Sequence, residues 1–117
     1  MLLNDIKEKL QEIEPNVFYG MVDPVMRETE WNYSVFERKK LSFNENKTSA
    51  SQYFTLHIIR EEFIPEGLEF EMIKKVLEIP GMRLSSQDGE YDYVAKPNTN
   101  TVVEMFSIDF VKPKKQW

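Results

Sequence analysis

Residues Tyr53 to Leu77 admit few folds, because a hydrophobic pattern of period two gives way there, across Phe63-Ile64-Pro65-Glu66-Gly67, to one of period three to four. In the first half Phe54, Leu56 and Ile58 fall at spacing two and share a face, while Tyr53, Thr55, His57 and Ile59 point to the other. Both faces carry apolar residues, many aromatic or β-branched, so the pattern predicts a central strand rather than an edge. Pro65 has no N–H and fixes its own φ; it cannot continue a ladder but suits the first turn of a helix. Beyond it Leu68, Met72, Ile73, Val76 and Leu77 recur at helical spacing, with Glu66, Glu69, Glu71, Lys74, Lys75 and Glu78 mostly on the other side. The early glutamates and later lysines also complement the helix dipole. Pro80-Gly81 ends the helix, since Ile79 precedes a proline and is biased away from helical backbone.

The rest of the chain arranges around that unit. Leu3, Ile6, Leu10 and Ile13 step by three, four and three, which predicts a first helix with Asn4 as its N-cap and Glu14-Pro15 as its close. Val17 to Val22 reads as a short strand with Gly20 inside it as a bulge or close approach. Asp23 to Glu30 is polar and reads as a loop. Trp31, Tyr33 and Val35 alternate with Asn32, Ser34 and Phe36 in a second strand extending toward Phe43. Asn44 to Ser51 is too polar to pack and reads as a mobile loop. After the second helix, Met82 and Leu84 could begin a strand. Tyr91 to Lys96 and Thr101 to Val111, joined by turn-prone residues, predict a hairpin in which Phe106, Ile108 and Phe110 lie opposite Met105, Ser107, Asp109 and Val111.

The expected fold is α+β: a mainly antiparallel sheet of about five strands, in the order α-β-β-β-α-β-β, with two helices on one face. Residues 1–111 form a single domain and 112–117 a basic tail. A chain of 117 residues buries roughly two-thirds of its unfolded surface, enough for one core. It has no cysteine, which excludes disulfides, thiolate metal sites and cysteine nucleophiles and fits a reducing cytosol. The net charge of −5 argues against reading of duplex nucleic acid, for which a basic surface is expected. No apolar run reaches the roughly 20 residues of a membrane span, and no signal peptide is visible at the N-terminus.

Few residues point to chemistry. His57 is the one histidine, set in the most apolar strand; no local motif marks a nucleophile or an orienting partner for it, so it reads as structural. Asp88, Glu90 and Asp92 at spacing two would align three carboxylates, but without the spacing of a calcium loop they read as a solvated face, as do Asp23, Glu28 and Glu30. No Gly-x-Gly or Gly-Lys-Ser/Thr element exists to cradle phosphate, so no nucleotide cofactor is expected. Arg38-Lys39-Lys40 and Lys112 to Lys115 are short basic clusters at strand ends. The aromatic residues, from Trp31 to Phe110, either fill the core or stand on a second sheet face as a protein interface.

Several segments together resemble the tail terminators and related tail-completion and minor capsid proteins of long-tailed bacteriophages: Trp31-Asn-Tyr-Ser-Val-Phe, Tyr53 to Gly67 with its Arg-Glu-Glu-Phe-Ile-Pro-Glu-Gly ending, Ile79-Pro-Gly-Met, Tyr91-Asp-Tyr, and Asn98-Thr-Asn-Thr-Val-Val-Glu-Met. The resemblance implies a structural protein without cofactor or reaction. It would form a ring, a hexamer, that caps the tail tube, stops its polymerisation and meets the head-tail connector. Its place would be the host cytoplasm during assembly and then the virion neck. The candidate assembly contacts are Arg38, Lys39 and Lys40, Glu45 and Lys47 in the second polar loop, and the aromatics Trp31 and Tyr33. A head-completion protein and a small bacterial ligand-binding or regulatory domain are the alternatives.

Overall fold

A computed structural model describes residues 2–21, 31–45 and 48–114. In chain order the elements are α1 (Leu2–Gln11), β1 (Val17–Tyr19), β2 (Tyr33–Phe43), β3 (Ala50–Glu61), α2 (Leu68–Leu77), β4 (Arg83–Leu84), β5 (Glu90–Ala95) and β6 (Val102–Lys114). Among the described residues this makes one six-stranded sheet ordered β1-β2-β3-β6-β4, with β5 also paired to β6. Thus β4 takes the stretch of β6 at Phe110 and Val111, and β5 the stretch from Val102 to Ser107. The strand that is apolar on both faces, β3, lies in the interior of the sheet, as its pattern predicts.

One face is covered by both helices. Phe36, Leu56 and Ile108 stand in register across β2, β3 and β6, flanked by the pairs Phe54 with Phe110 and Ile58 with Phe106. Against them pack Ile6 and Leu10 of α1 and Met72 and Val76 of α2. Lys9 bridges to Glu78 at 2.9 Å and Lys75 to Glu12 at 3.0 Å, joining the exposed backs of the two helices. The other face holds a smaller cluster of Tyr33, Val35, Ile59 and Val103, with Phe18, Trp31 and Met105 against it.

Several local expectations are corrected. The sheet has six strands rather than about five because Arg83–Leu84 does pair. β1 runs parallel to β2, since the connection from Tyr19 to Tyr33 exceeds the length of about a dozen residues that a parallel return requires. The first helix already includes Leu2 and Leu3, so Asn4 is inside it and caps nothing. Gly20 follows β1 at φ +78 and ends the strand, a left-handed turn that glycine takes without strain; Val22 lies outside the described residues. Pro65 stands ahead of α2, its carbonyl accepting from Leu68 N at 3.1 Å, and Gly67 at φ +93 turns the chain into the helix.

The loop expected from Asn44 to Ser51 is shorter than its polarity implies, and its residues 46–47 lie outside the described residues. Ala50 and Ser51 already belong to β3. Asn44 Oδ1 accepts from Thr48 N at 2.8 Å and Ser49 N at 3.3 Å, the side chain standing in for missing backbone partners. At the other terminus β6 runs through Lys112 and Pro113 to Lys114, so the strand takes up half of the expected basic tail.

The covered face has a polar exception. Glu14, 2% exposed, accepts from Ser34 Oγ at 3.1 Å and from Arg60 Nη2. Arg60 also donates to the carbonyls of Ile59 at 2.8 Å and Tyr33 at 3.2 Å. This buried pair ties the end of α1 to β2 and β3.

Candidate functional site

The uncovered face carries two polar rows at the middle of the sheet. Register sets Val35, His57, Ser107 and Glu90 side by side on β2, β3, β6 and β5, and Glu37, Thr55 and Asp109 in the next row. Strand alternation turns the polar members toward the face that no helix covers.

In the first row His57 Nδ1 lies 2.7 Å from Ser107 Oγ, and its Nε2 reaches diagonally to Glu37 Oε1 at 2.8 Å. A carboxylate only accepts, so Nε2 carries the proton and, in the neutral ring, Nδ1 accepts the Ser107 hydroxyl. In the second row Thr55 Oγ1 donates to Asp109 Oδ1 at 2.7 Å and Lys39 Nζ to Oδ2 at 2.6 Å. Burial pushes the Asp109 carboxyl up, but the hydrogen bonds from Lys39 and Thr55 and the Lys39 charge outweigh it and hold the group below its ordinary 3.8. Both rows floor an open cleft of about 550 Å³ whose rim includes Ser86, Asp88 and Glu90.

The order serine, imidazole, carboxylate can hold a proton on a chain running across three strands. Acyl transfer also needs N–H donors aimed at a developing oxyanion. Ser107 stands between His57 on β3 and Glu90 on β5, with ladder partners on both sides, which leaves no free strand edge there to present such donors. What the geometry performs directly is to lock β2, β3 and β6 together and present a polar surface.

A second feature lies under the far end of the β2–β3 hairpin, on the helix side of the sheet. Leu2 and Leu3 of α1 line, together with Leu41, Phe43, Ala50 and Phe54, a groove of about 530 Å³ with Arg38 and Lys114 at its edge.

The expected assembly contacts do not form one patch. The register shifts between Arg38 and Lys40, so the three basic residues diverge. Arg38 edges the apolar groove, Lys39 binds Asp109, and Lys40 Nζ sits 4.7 Å over the Tyr53 ring. Glu45 is exposed in the turn after β2, while Lys47 lies outside the described residues, as does the Asp23 to Glu30 segment. Trp31 is half-buried against the second cluster. Tyr33, 6% exposed, is a core member of that cluster, so its ring holds the sheet rather than offering a contact. Of the aligned carboxylates, Glu90 and Asp92 pair with Ser107 and Met105 on the open face; among the described residues no group of three or more His, Asp or Glu could hold a metal ion.

Sequence reasoning missed Glu37, Ser107 and Asp109 as partners of the central strand. A signal was present: polar residues alternating through the middle of an otherwise apolar strand, Ser107 and Asp109 in β6, face something that satisfies them. Which residue of which strand satisfies them depends on register.

No helix among the described residues is long and apolar enough to cross a membrane. No protein-family model matches the chain, and among curated proteins none matches it.

Proposed function

We propose that this chain is a structural subunit of a bacteriophage neck, a tail terminator whose ring caps the tail tube, ends its polymerisation and joins it to the head connector. The observation that carries the reading beyond resemblance is the exposure of large apolar side chains outside any core: Phe63 is 64% exposed, Phe70 71% and Leu41 52%. Exposed apolar side chains of this size, at the two ends of the molecule, belong under protein partners. The resembling segments build β2, β3, the turn into α2, and the β5–β6 hairpin. The protein is read as non-enzymatic, its Ser107–His57–Glu37 chain serving the sheet; retained turnover of any acyl substrate that is lost in His57→Ala would reverse that reading.

The cleft over His57 favours a second reading, a small regulatory domain that takes a polar ligand between Lys39 and Glu90. A saturable thermal shift with a small polar molecule, in a protein that stays monomeric, would select it.

The deciding experiment is electron microscopy of particles made by a phage lacking this gene. Overlong, headless tails are the expected result. Normal-length tails beside unattached heads would move the assignment to head completion, and ordinary virions would remove the neck reading.

A further inference from the structure

We propose that copies of this chain join head to tail, the Phe63–Phe70 end of one subunit docking into the Leu41–Phe54 groove of the next. The inference deepens the ring reading and rests on it: it names the two surfaces that would close the ring.

The surfaces lie at opposite ends of the longest element. β3 spans twelve residues, roughly 40 Å of extended chain, in a molecule 52 Å long. At its start Ala50 pairs with Phe43 and Lys114, which places the groove there. At its finish Glu61 pairs with Val103, and Glu62 N donates to Val102 O, so Phe63 stands beside the start of β6. Phe70 lies in the first turn of α2, which begins at this same end.

The two ends are complementary in shape and in charge. One is concave and apolar, and the other presents two protruding aromatic rings, the kind of anchor that fills such a groove. The groove is edged by Arg38 and Lys114, which carry no ion pair among the described residues. The opposite end carries exposed Glu62, Glu66 and Glu71, likewise without ion pairs among the described residues. A like-with-like contact would bring basic edge to basic edge or acidic to acidic, whereas head-to-tail docking pairs opposite signs. Such a heterologous contact closes into a ring when the rotation between neighbours permits.

Two variants test the inference together. Leu41→Glu spoils the groove and leaves the aromatic end; Phe63→Glu with Phe70→Glu spoils the aromatic end and leaves the groove. All three side chains are exposed, so each variant should fold, which its thermal unfolding checks. By light scattering on a sizing column, the wild type should assemble with rising concentration, each variant alone should stay monomeric, and their mixture should give one-to-one dimers that grow no further. Variants that assemble as the wild type does would overturn these surfaces while leaving the ring reading standing. Monomeric variants whose mixture fails to pair, or homodimers of the double variant, would mean a symmetric contact and overturn head-to-tail docking. A wild type monomeric at every concentration would remove self-docking, and the phage experiment would then judge the neck reading by itself.

Discussion

The two faces of the sheet hold the same three central strands together by different means. Under the helices, Phe36, Leu56 and Ile108, flanked by Phe54 with Phe110 and Ile58 with Phe106, join β2, β3 and β6 by filled volume. At the middle of the uncovered face, beside the smaller Tyr33–Ile59–Val103 cluster, the same strands are joined by Glu37–His57–Ser107 and Lys39–Asp109–Thr55. The difference follows from water. A dry face must be apolar or fully paired, because an unpaired polar group there is costly, while a half-wet face can use hydrogen bonds whose loss water partly repairs. Stability should therefore reside under the helices, and the open face should fix register and surface character.

The strongest way to break that contrast is Phe110→Ala. Its ring is 1% exposed and sits between β3 and both helices, so truncation should cost about 3–5 kcal/mol, read from urea unfolding. A loss no larger than that of an open-face variant would mean the helices do not make that face the main core.

Next in size is Glu14→Ala, which probes the polar exception under the helices. It leaves the Arg60 guanidinium in place, largely shielded and without its carboxylate, and should cost about 3 kcal/mol. Removing both partners, as in Glu14→Leu with Arg60→Met, should recover much of that loss, since the penalty lies in the stranded charge. If the double variant is as unstable as the sum of the singles, the pair acts by packing instead.

How much of this was legible beforehand divides along the same line. The central position of β3, the period switch into α2 and the β5–β6 hairpin follow from patterns within single segments, and they were readable. The direction of β1, the pairing of Arg83 and Leu84, and the divergence of Arg38, Lys39 and Lys40 depend on where another strand lies. Asn4 reads as a cap only while the helix start is taken from the hydrophobic stripe; Leu2 and Leu3 extend the helix past it. The site was half legible. His57 stood out, but its partners Glu37 and Ser107 are 20 and 50 positions away, and register alone brings them to its two nitrogens.

On the open face, His57→Ala removes two hydrogen bonds from a half-buried site that water can enter. The cost should be about 1 kcal/mol, and amide exchange in β2 near Glu37 should quicken more than in β3 beneath the core. A loss comparable to that of Phe110→Ala would make the polar rows as important to folding as the core and would erase the contrast between the faces.

The smallest effect is also the most specific to charge. Asp109 is held below its ordinary 3.8: burial opposes ionisation, but the hydrogen bonds from Lys39 and Thr55 and the Lys39 charge prevail. A carboxylate depressed in the folded state contributes stability that is fully present above the unfolded value and disappears as pH falls through the folded one. The stability gap between the wild type and Asp109→Asn should accordingly be constant near neutrality and close as pH drops below 3.8. It should also shrink in high salt, because the Lys39 partner is half exposed and screened. A gap that still closes with pH but does not change with salt would assign the role of Asp109 to the Thr55 hydrogen bond alone. The open face would then owe its cohesion to hydrogen bonding rather than to ion pairing, and its difference from the covered face would be one of hydration.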